Sequence, residues 1–250
     1  MRPHANGDPT IHPYHHALAS QRAYGGAVSD YLPLHNWFDA SKSSLAFFTH
    51  RAIHHHREGI AEAVHLFGAA VVNAEGCAIS VEALALQHLA EDMSIIPTAA
   101  DWLQCIEFPV AGITLPSTTP SADELSIASG RHFQARPETL RPLHSWFLET
   151  ANWFGDARHF AMRHHSFGIF EAERLFGVVL GQEDPCPVPT RMLAEWHVRT
   201  VLGRIPATAD FLRRIKGQPW MAAAHNARRR GLIPAPFLTA VQSERPAGEE

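Results

Sequence analysis

The sequence predicts a mainly α fold made of two tandem helical-bundle repeats, each with about five helices and a small hairpin or loop. Three observations carry that expectation. First, one block recurs at an offset of 109: Leu34-His35-Asn36-Trp37-Phe38 returns as Leu143-His144-Ser145-Trp146-Phe147. The same shift pairs His55-His56 with His164-His165, Leu66-Phe67-Gly68 with Leu175-Phe176-Gly177, and His88 with His197. Between Pro33 and Ile106 it yields 26 identities without a gap, and self-similarity at one fixed period marks a duplicated structural unit. Second, apolar residues fall at helical spacings. Third, residues that start and stop helices stand at the ends of those runs.

Within the first repeat, Tyr14 to Tyr24 reads as a helix stopped by Gly25-Gly26. Ser29 or Asp30 can cap a second helix, with Pro33 tolerated in its opening turn. Thr49 caps a third that runs to Gly68 and aligns Ala52, Ile53, Ile60, Ala63, Val64 and Phe67; His54, His55 and His56 fall inside it. Val71 to Ile79 reads as a short hairpin or irregular loop. Ser80 caps a fourth helix through Asp92, and Thr98 with Asp101 stands at capping-box spacing before Trp102-Leu103. Gly59 and Gly168 are read as close helix crossings, and Gly68 and Gly177 as helix stops.

The repeats are set at residues 12–108 and 122–220, with a proline-bearing linker at 109–121 and a tail at 221–250. In the tail, Arg228-Arg229-Arg230 followed by Gly231 reads as a helix C-terminus. Two similar units can pack about a pseudo-twofold axis, so an internal pseudo-dimer is expected, with independent units as the alternative.

Charge excludes some partners. With 21 basic and 25 acidic side chains the net charge is −4, which gives no nucleic-acid footprint. No basic amphipathic segment, signal peptide or eighteen-residue apolar run is present, so neither membrane contact nor export is expected. Three scattered cysteines form no disulfide framework, and a reducing cytoplasm is the expected compartment.

Histidine is the outlier, with 18 spread along the chain. His35 and Asp39 are four apart, as are His88 and Asp92, so each pair shares a helix face. Facing helices in a bundle can supply such groups to an interior ion. The expected metal ligands are His35, Asp39, His55, His88 and Asp92, holding a divalent ion such as zinc, iron or manganese, because imidazole with carboxylate and no thiolate suits these metals. Glu91, His56, Lys42 and Arg51 are the expected catalytic companions; Lys42 reads either as an anion contact or as a solvated helix surface. His50, His65 and His132 are read as packing residues, and Trp37-Phe38 as core aromatics.

The second repeat keeps histidines at 144, 159, 164, 165 and 197 but not their charged companions. Asp39 becomes Leu148, Lys42 becomes Ala151, Arg51 becomes Phe160, Glu91 becomes Thr200 and Asp92 becomes Val201. A metal or acid–base centre needs such carboxylates, so chemistry is expected in the first repeat, with the second degenerate.

The run His35-Asn36-Trp37-Phe38-Asp39-Ala40-Ser41-Lys42, then His50 through Ile60, Gln87-His88-Leu89-Ala90-Glu91-Asp92 and Ile96 through Leu103 resembles an uncharacterised bacterial and phage family catalogued as a domain of unknown function. That resemblance implies a helical fold and no established activity. In ligand types alone the chain is also similar to the HD phosphohydrolases, although their adjacent His-Asp pair is absent. Three function classes follow: a metal-dependent hydrolase on a small-molecule anionic substrate, a non-haem iron oxygenase, and a non-catalytic binding or assembly protein.

Overall fold

In a computed structural model, residues 12–110, 113, 116 and 118–222 are described; the Arg228–Arg230 cluster and most of the expected tail lie outside them. The chain is mainly helical. Helix α1, Pro13–Tyr24, ends at Gly25, whose φ of 76° suits a residue without Cβ. Helix α2, Val28–Phe38, begins earlier than the cap expected at Ser29 or Asp30. Asp30 lies inside it, and its carboxylate accepts the backbone N–H groups of Ala27 at 2.7 Å and Ala74 at 2.8 Å. Pro33 therefore falls in the second turn rather than the first.

Residues Ala40–Ser43 and Phe48–Ile53 form 3-10 turns, and helix α3 spans Arg57–Phe67. The histidine triplet is thus not inside a helix that starts at Thr49. Gly59 explains the break. A Cβ there would sit 2.0 Å from the His54 carbonyl oxygen, so the chain entering α3 folds tightly onto its own first turn. The close approach is to that local turn, not to a crossing helix. Gly168 repeats it at 1.8 Å from the Arg163 oxygen. Strands β1 (Ala70–Val72) and β2 (Ala78–Ser80) pair antiparallel with Val71 opposite Ile79, which makes the expected hairpin. Ser80 then caps helix α4, Val81–Asp92, by accepting the Ala83 N–H at 3.3 Å, and α5 spans Ala99–Leu103.

The second repeat follows the same order: α6 Ala122–Phe133, α7 Pro137–Glu149, α8 Phe160–Arg163 and α9 Ser166–Phe176. Strands β3 (Val179–Leu180) and β4 (Val188–Pro189) precede α10 Thr190–Leu202 and α11 Thr208–Leu212. The starts of α1, α2, α3, α4 and α5 each reappear 109 residues on, at α6, α7, α9, α10 and α11. The duplication therefore includes α1, upstream of the block of sequence identities.

Contacts sort the described chain into two compact units, 12–98 with 217–222 and 99–216, so the contact boundary lies inside the first sequence repeat. In the first unit, α1 packs on α2, and α4 packs on α1, α2 and α3. Ala17, Tyr31, Leu34, Phe38, Leu84 and Leu89 fill its interior, each no more than 1% exposed. Residues 217–222 close part of it: the Trp220 carbonyl accepts from Ser94 N and Oγ, both at 3.2 Å. In the second unit α6 packs on α7 and α9 on α10 around Leu140, Leu143, Phe147 and Leu193. Val110 and Ile113, within the segment read as a linker, are buried. His65 and His132, expected to pack inside, are exposed. Among the described residues no helix is long and apolar enough to cross a membrane.

Candidate metal centre

Four side chains from three stretches of the first unit converge. Asp39 ends α2, His55 stands in the turn that Gly59 folds back, and His88 and Asp92 are one turn apart on α4. One ligand atom from each lies within 4.8 Å of all the others, and all four residues are buried. His55 Nε2 is 3.1 Å from His88 Nε2 and 3.2 Å from Asp92 Oδ2. Asp39 Oδ1 lies 3.8 Å from His55 Nε2, and Asp92 Oδ2 lies 3.8 Å from His88 Nε2. A tetrahedral ion with bonds of about 2.1 Å holds its ligands about 3.4 Å apart, and these four separations, 3.1 to 3.8 Å, bracket that spacing. Two imidazoles and two carboxylates suit a divalent transition ion. The cluster could hold a metal.

Charge around the four is dense. Lys42 Nζ is 2.6 Å from Asp39 Oδ2, and His50 Nε2 is 3.3 Å from Asp39 Oδ1. Arg51 donates through Nε to Asp92 Oδ2 at 3.1 Å and through Nη1 to the Met221 carbonyl at 3.3 Å. His16 bridges two acids: its Nδ1 is 2.5 Å from Glu91 Oε2, and its Nε2 is 3.5 Å from Asp92 Oδ1. Neither that Nε2 nor Asp92 Oδ1 has a closer hydrogen-bond partner, so these two buried atoms face each other at the edge of the cluster.

Protonation follows from these neighbours. Burial opposes ionisation of Asp92, yet the hydrogen bonds from His16 and His55 and the Arg51 charge hold it well below the usual carboxylate range. Asp39 is also lowered against its burial, by His50, His55 and Lys42. Burial would lower His16, but Asp92 and Glu91 outweigh it and raise the ring to about 9. Burial brings His55 down to about 4 and His88 well below 6.5. Both candidate imidazole ligands are therefore neutral at pH 7, with a lone pair to offer.

Of the other expected residues, His35 is not in the four-atom cluster; its Nδ1 lies 3.0 Å from His88 Nδ1, one hydrogen bond behind. Lys42 and Arg51 touch the candidate ligand carboxylates, and Glu91 touches His16. His56 is elsewhere: Nδ1 accepts the Gly59 N–H at 3.0 Å and Nε2 lies 2.9 Å from the Ile53 carbonyl, so it caps α3. His50, read as a packing residue, touches Asp39. Sequence spacing alone does not point to His16 and Ser20. The offset of 109 could have found them, since it carries Ser20 to Ser129 and exchanges His16 for Leu125, as it exchanges Asp39 and Asp92 for apolar residues.

The second unit has the same histidines without the acids. His197 Nε2 lies 3.2 Å from His164 Nε2, and His144 Nδ1 lies 2.8 Å from His197 Nδ1. The histidine scaffold thus forms without carboxylates, and what distinguishes the first unit is its charge.

Comparison with known proteins agrees with the duplication. The family model described as a domain of unknown function (DUF6915) matches residues 11–111 and again 124–221. No curated protein and no solved structure matches the chain. The chain belongs to that family, carrying its domain twice in tandem.

Proposed function

We propose that the first repeat is a metal-dependent enzyme, a hydrolase of a small anionic substrate, with Asp39, His55, His88 and Asp92 as metal ligands. One observation carries this reading: four buried ligand atoms lie within 4.8 Å of one another in the first repeat, and where the histidines recur, Leu148 and Val201 replace the acids. A divalent ion, zinc, iron or manganese, would supply a bound water of lowered pKa as nucleophile. The chain's own groups do the rest. His16 joins Asp92 to Glu91, whose side chain is 29% exposed, and so offers a proton path between the buried centre and solvent. Lys42, 24% exposed and paired with Asp39, is the cation that an entering anion would meet. The buried position of the cluster supports a small-molecule substrate over a macromolecular one.

A non-catalytic reading is favoured by a different observation: Asp39 already has Lys42 beside it and Asp92 has Arg51, as in a network that only fixes the helices. One experiment separates them. Protein loaded in turn with zinc, manganese and ferrous iron is assayed on phosphate monoesters, phosphodiesters and carboxylate esters. Metal-dependent turnover that is lost in a folded Asp92→Asn variant is expected. Binding without turnover would eliminate the hydrolase, and oxygen-dependent loss of ferrous iron would indicate an oxygenase.

A further inference from the structure

The chain Ser20–His35–His88 has a direction that its end groups dictate. Ser20 Oγ lies 3.1 Å from the His16 carbonyl oxygen, 3.1 Å from Gln87 Oε1 and 2.9 Å from His35 Nε2. Gln87 is oriented by Glu91: its Nε2 donates to Glu91 Oε1 at 2.9 Å, which turns the amide oxygen toward Ser20. A carbonyl and an amide oxygen only accept, so the single Ser20 proton goes to one of them. The hydroxyl then has only lone pairs for His35, and His35 Nε2 must be the donor. His35 is fully buried with no carboxylate in hydrogen-bond reach, so its ring is neutral and Nδ1 carries a lone pair. His88 Nδ1, 3.0 Å away, must then donate. That leaves His88 Nε2 unprotonated and facing His55 and Asp92.

We infer that Ser20 and His35 are positioning residues, a hydrogen-bond relay that locks His88 in the Nδ1–H tautomer and presents its Nε2 lone pair to the cluster. A ligating histidine needs this arrangement, because the hydrogen bond made by one ring nitrogen decides whether the other is free for a metal. The second repeat supplies an internal control. Ser129 Oγ donates to the Ser126 carbonyl at 3.2 Å and lies 2.9 Å from His144 Nε2, and His144 Nδ1 meets His197 Nδ1 at 2.8 Å. The same reasoning gives His197 an Nδ1–H and a bare Nε2, toward which His164 Nε2 points at 3.2 Å. The tautomer lock therefore belongs to the duplicated scaffold, and only the first repeat adds acids that would make use of it.

The relay's role rests on the metal reading, but its polarity does not, and the test keeps them apart. Metal-free full-length protein labelled with ¹⁵N-histidine is examined by long-range ¹H–¹⁵N correlation, with His88 and His197 assigned from the signals lost in His88→Gln and His197→Gln. Both rings should show protonated Nδ1 and bare Nε2. Ser20→Ala should release His88 into a mixture of tautomers, whereas Ser20→Thr, which keeps the hydroxyl, should preserve the lock. Zinc affinity should fall about 10- to 100-fold in Ser20→Ala and hold in Ser20→Thr. A protonated Nε2 on His88 in the wild type, or a Ser20→Ala variant with an unmoved tautomer, overturns the relay whether or not zinc binds. Failure of the wild type to bind zinc, manganese or iron defeats the metal reading instead.

Discussion

Replacing Asp92 with the residue at its equivalent position in the second repeat gives the sharpest energetic test of the charged network. Asp92 is fully buried and stands among Arg51 Nε at 3.1 Å, His55 Nε2 at 3.2 Å and His16 Nε2 at 3.5 Å. Asp92→Val, the counterpart of Val201, leaves the buried Arg51 guanidinium without its ion pair and His16 without one of its two acids. Removing one partner of a buried ion pair costs about 3–5 kcal/mol, most of it from the charge left behind. Replacing the uncompensated groups as well, with Arg51→Phe and His16→Leu added, copies Phe160 and Leu125, each buried to 2% exposure in the second unit. Neutral, well-packed replacement of an ion network is often close to neutral in stability. The triple variant should therefore recover all but about 1–2 kcal/mol, the usual price of imperfect repacking. Urea unfolding followed by circular dichroism measures both, and a fall in the raised His16 pKa in Asp92→Val is an independent readout by NMR. A single substitution costing under about 1 kcal/mol, or a triple variant no more stable than the single, refutes the reasoning.

Stability should peak near pH 6.5. His55, His144 and His165 are pressed by burial to about 4 and His35 to about 3, so between 6.5 and those values only the unfolded chain takes up protons, and across that window each ring subtracts about 1.4 kcal/mol per pH unit as acid is added. His16, raised to about 9, works the other way: its contribution is complete below 6.5 and is lost as the pH climbs through 9. A melting temperature that keeps rising from pH 6.5 to 9 contradicts this assignment. Gly59→Ala forces a Cβ against the His54 oxygen and should cost about 3 kcal/mol by thermal unfolding while also weakening metal binding, since the same turn carries His55. His56→Ala removes the α3 cap and should cost about 1 kcal/mol with metal content unchanged; loss of metal would return His56 to the site.

Much of the scaffold was legible because its rules are local. Gly25 and Gly68 stop helices, Ser80 starts one, and of the hairpin or loop read at Val71 to Ile79 the hairpin forms. Spacing starts the third helix too early because His54-His55-His56 has no helix-breaking residue. Its true start depends on a backbone contact between His54 and Gly59 that spacing alone does not reveal. Within the cluster, the four-residue intervals His35–Asp39 and His88–Asp92 announced shared helix faces, and the loss of both acids in the second repeat singled them out. Spacing could not say that His35 stands behind His88 rather than beside it, since that depends on how α2 and α4 pack. His16 stayed hidden because α1 lies upstream of the identities that reveal the repeat. A part-exposed acid such as Glu91 gives no sign in sequence that a buried histidine is its partner.

Metal stoichiometry by inductively coupled plasma mass spectrometry, on the full-length protein after equilibration with zinc, manganese or ferrous iron, decides whether the buried cluster holds an ion. One tightly held transition-metal ion per chain is expected, abolished in an Asp39→Leu/Asp92→Val variant that carries the second repeat's residues and still folds. A wild-type chain that retains no metal, or a variant that retains as much as the wild type, contradicts it.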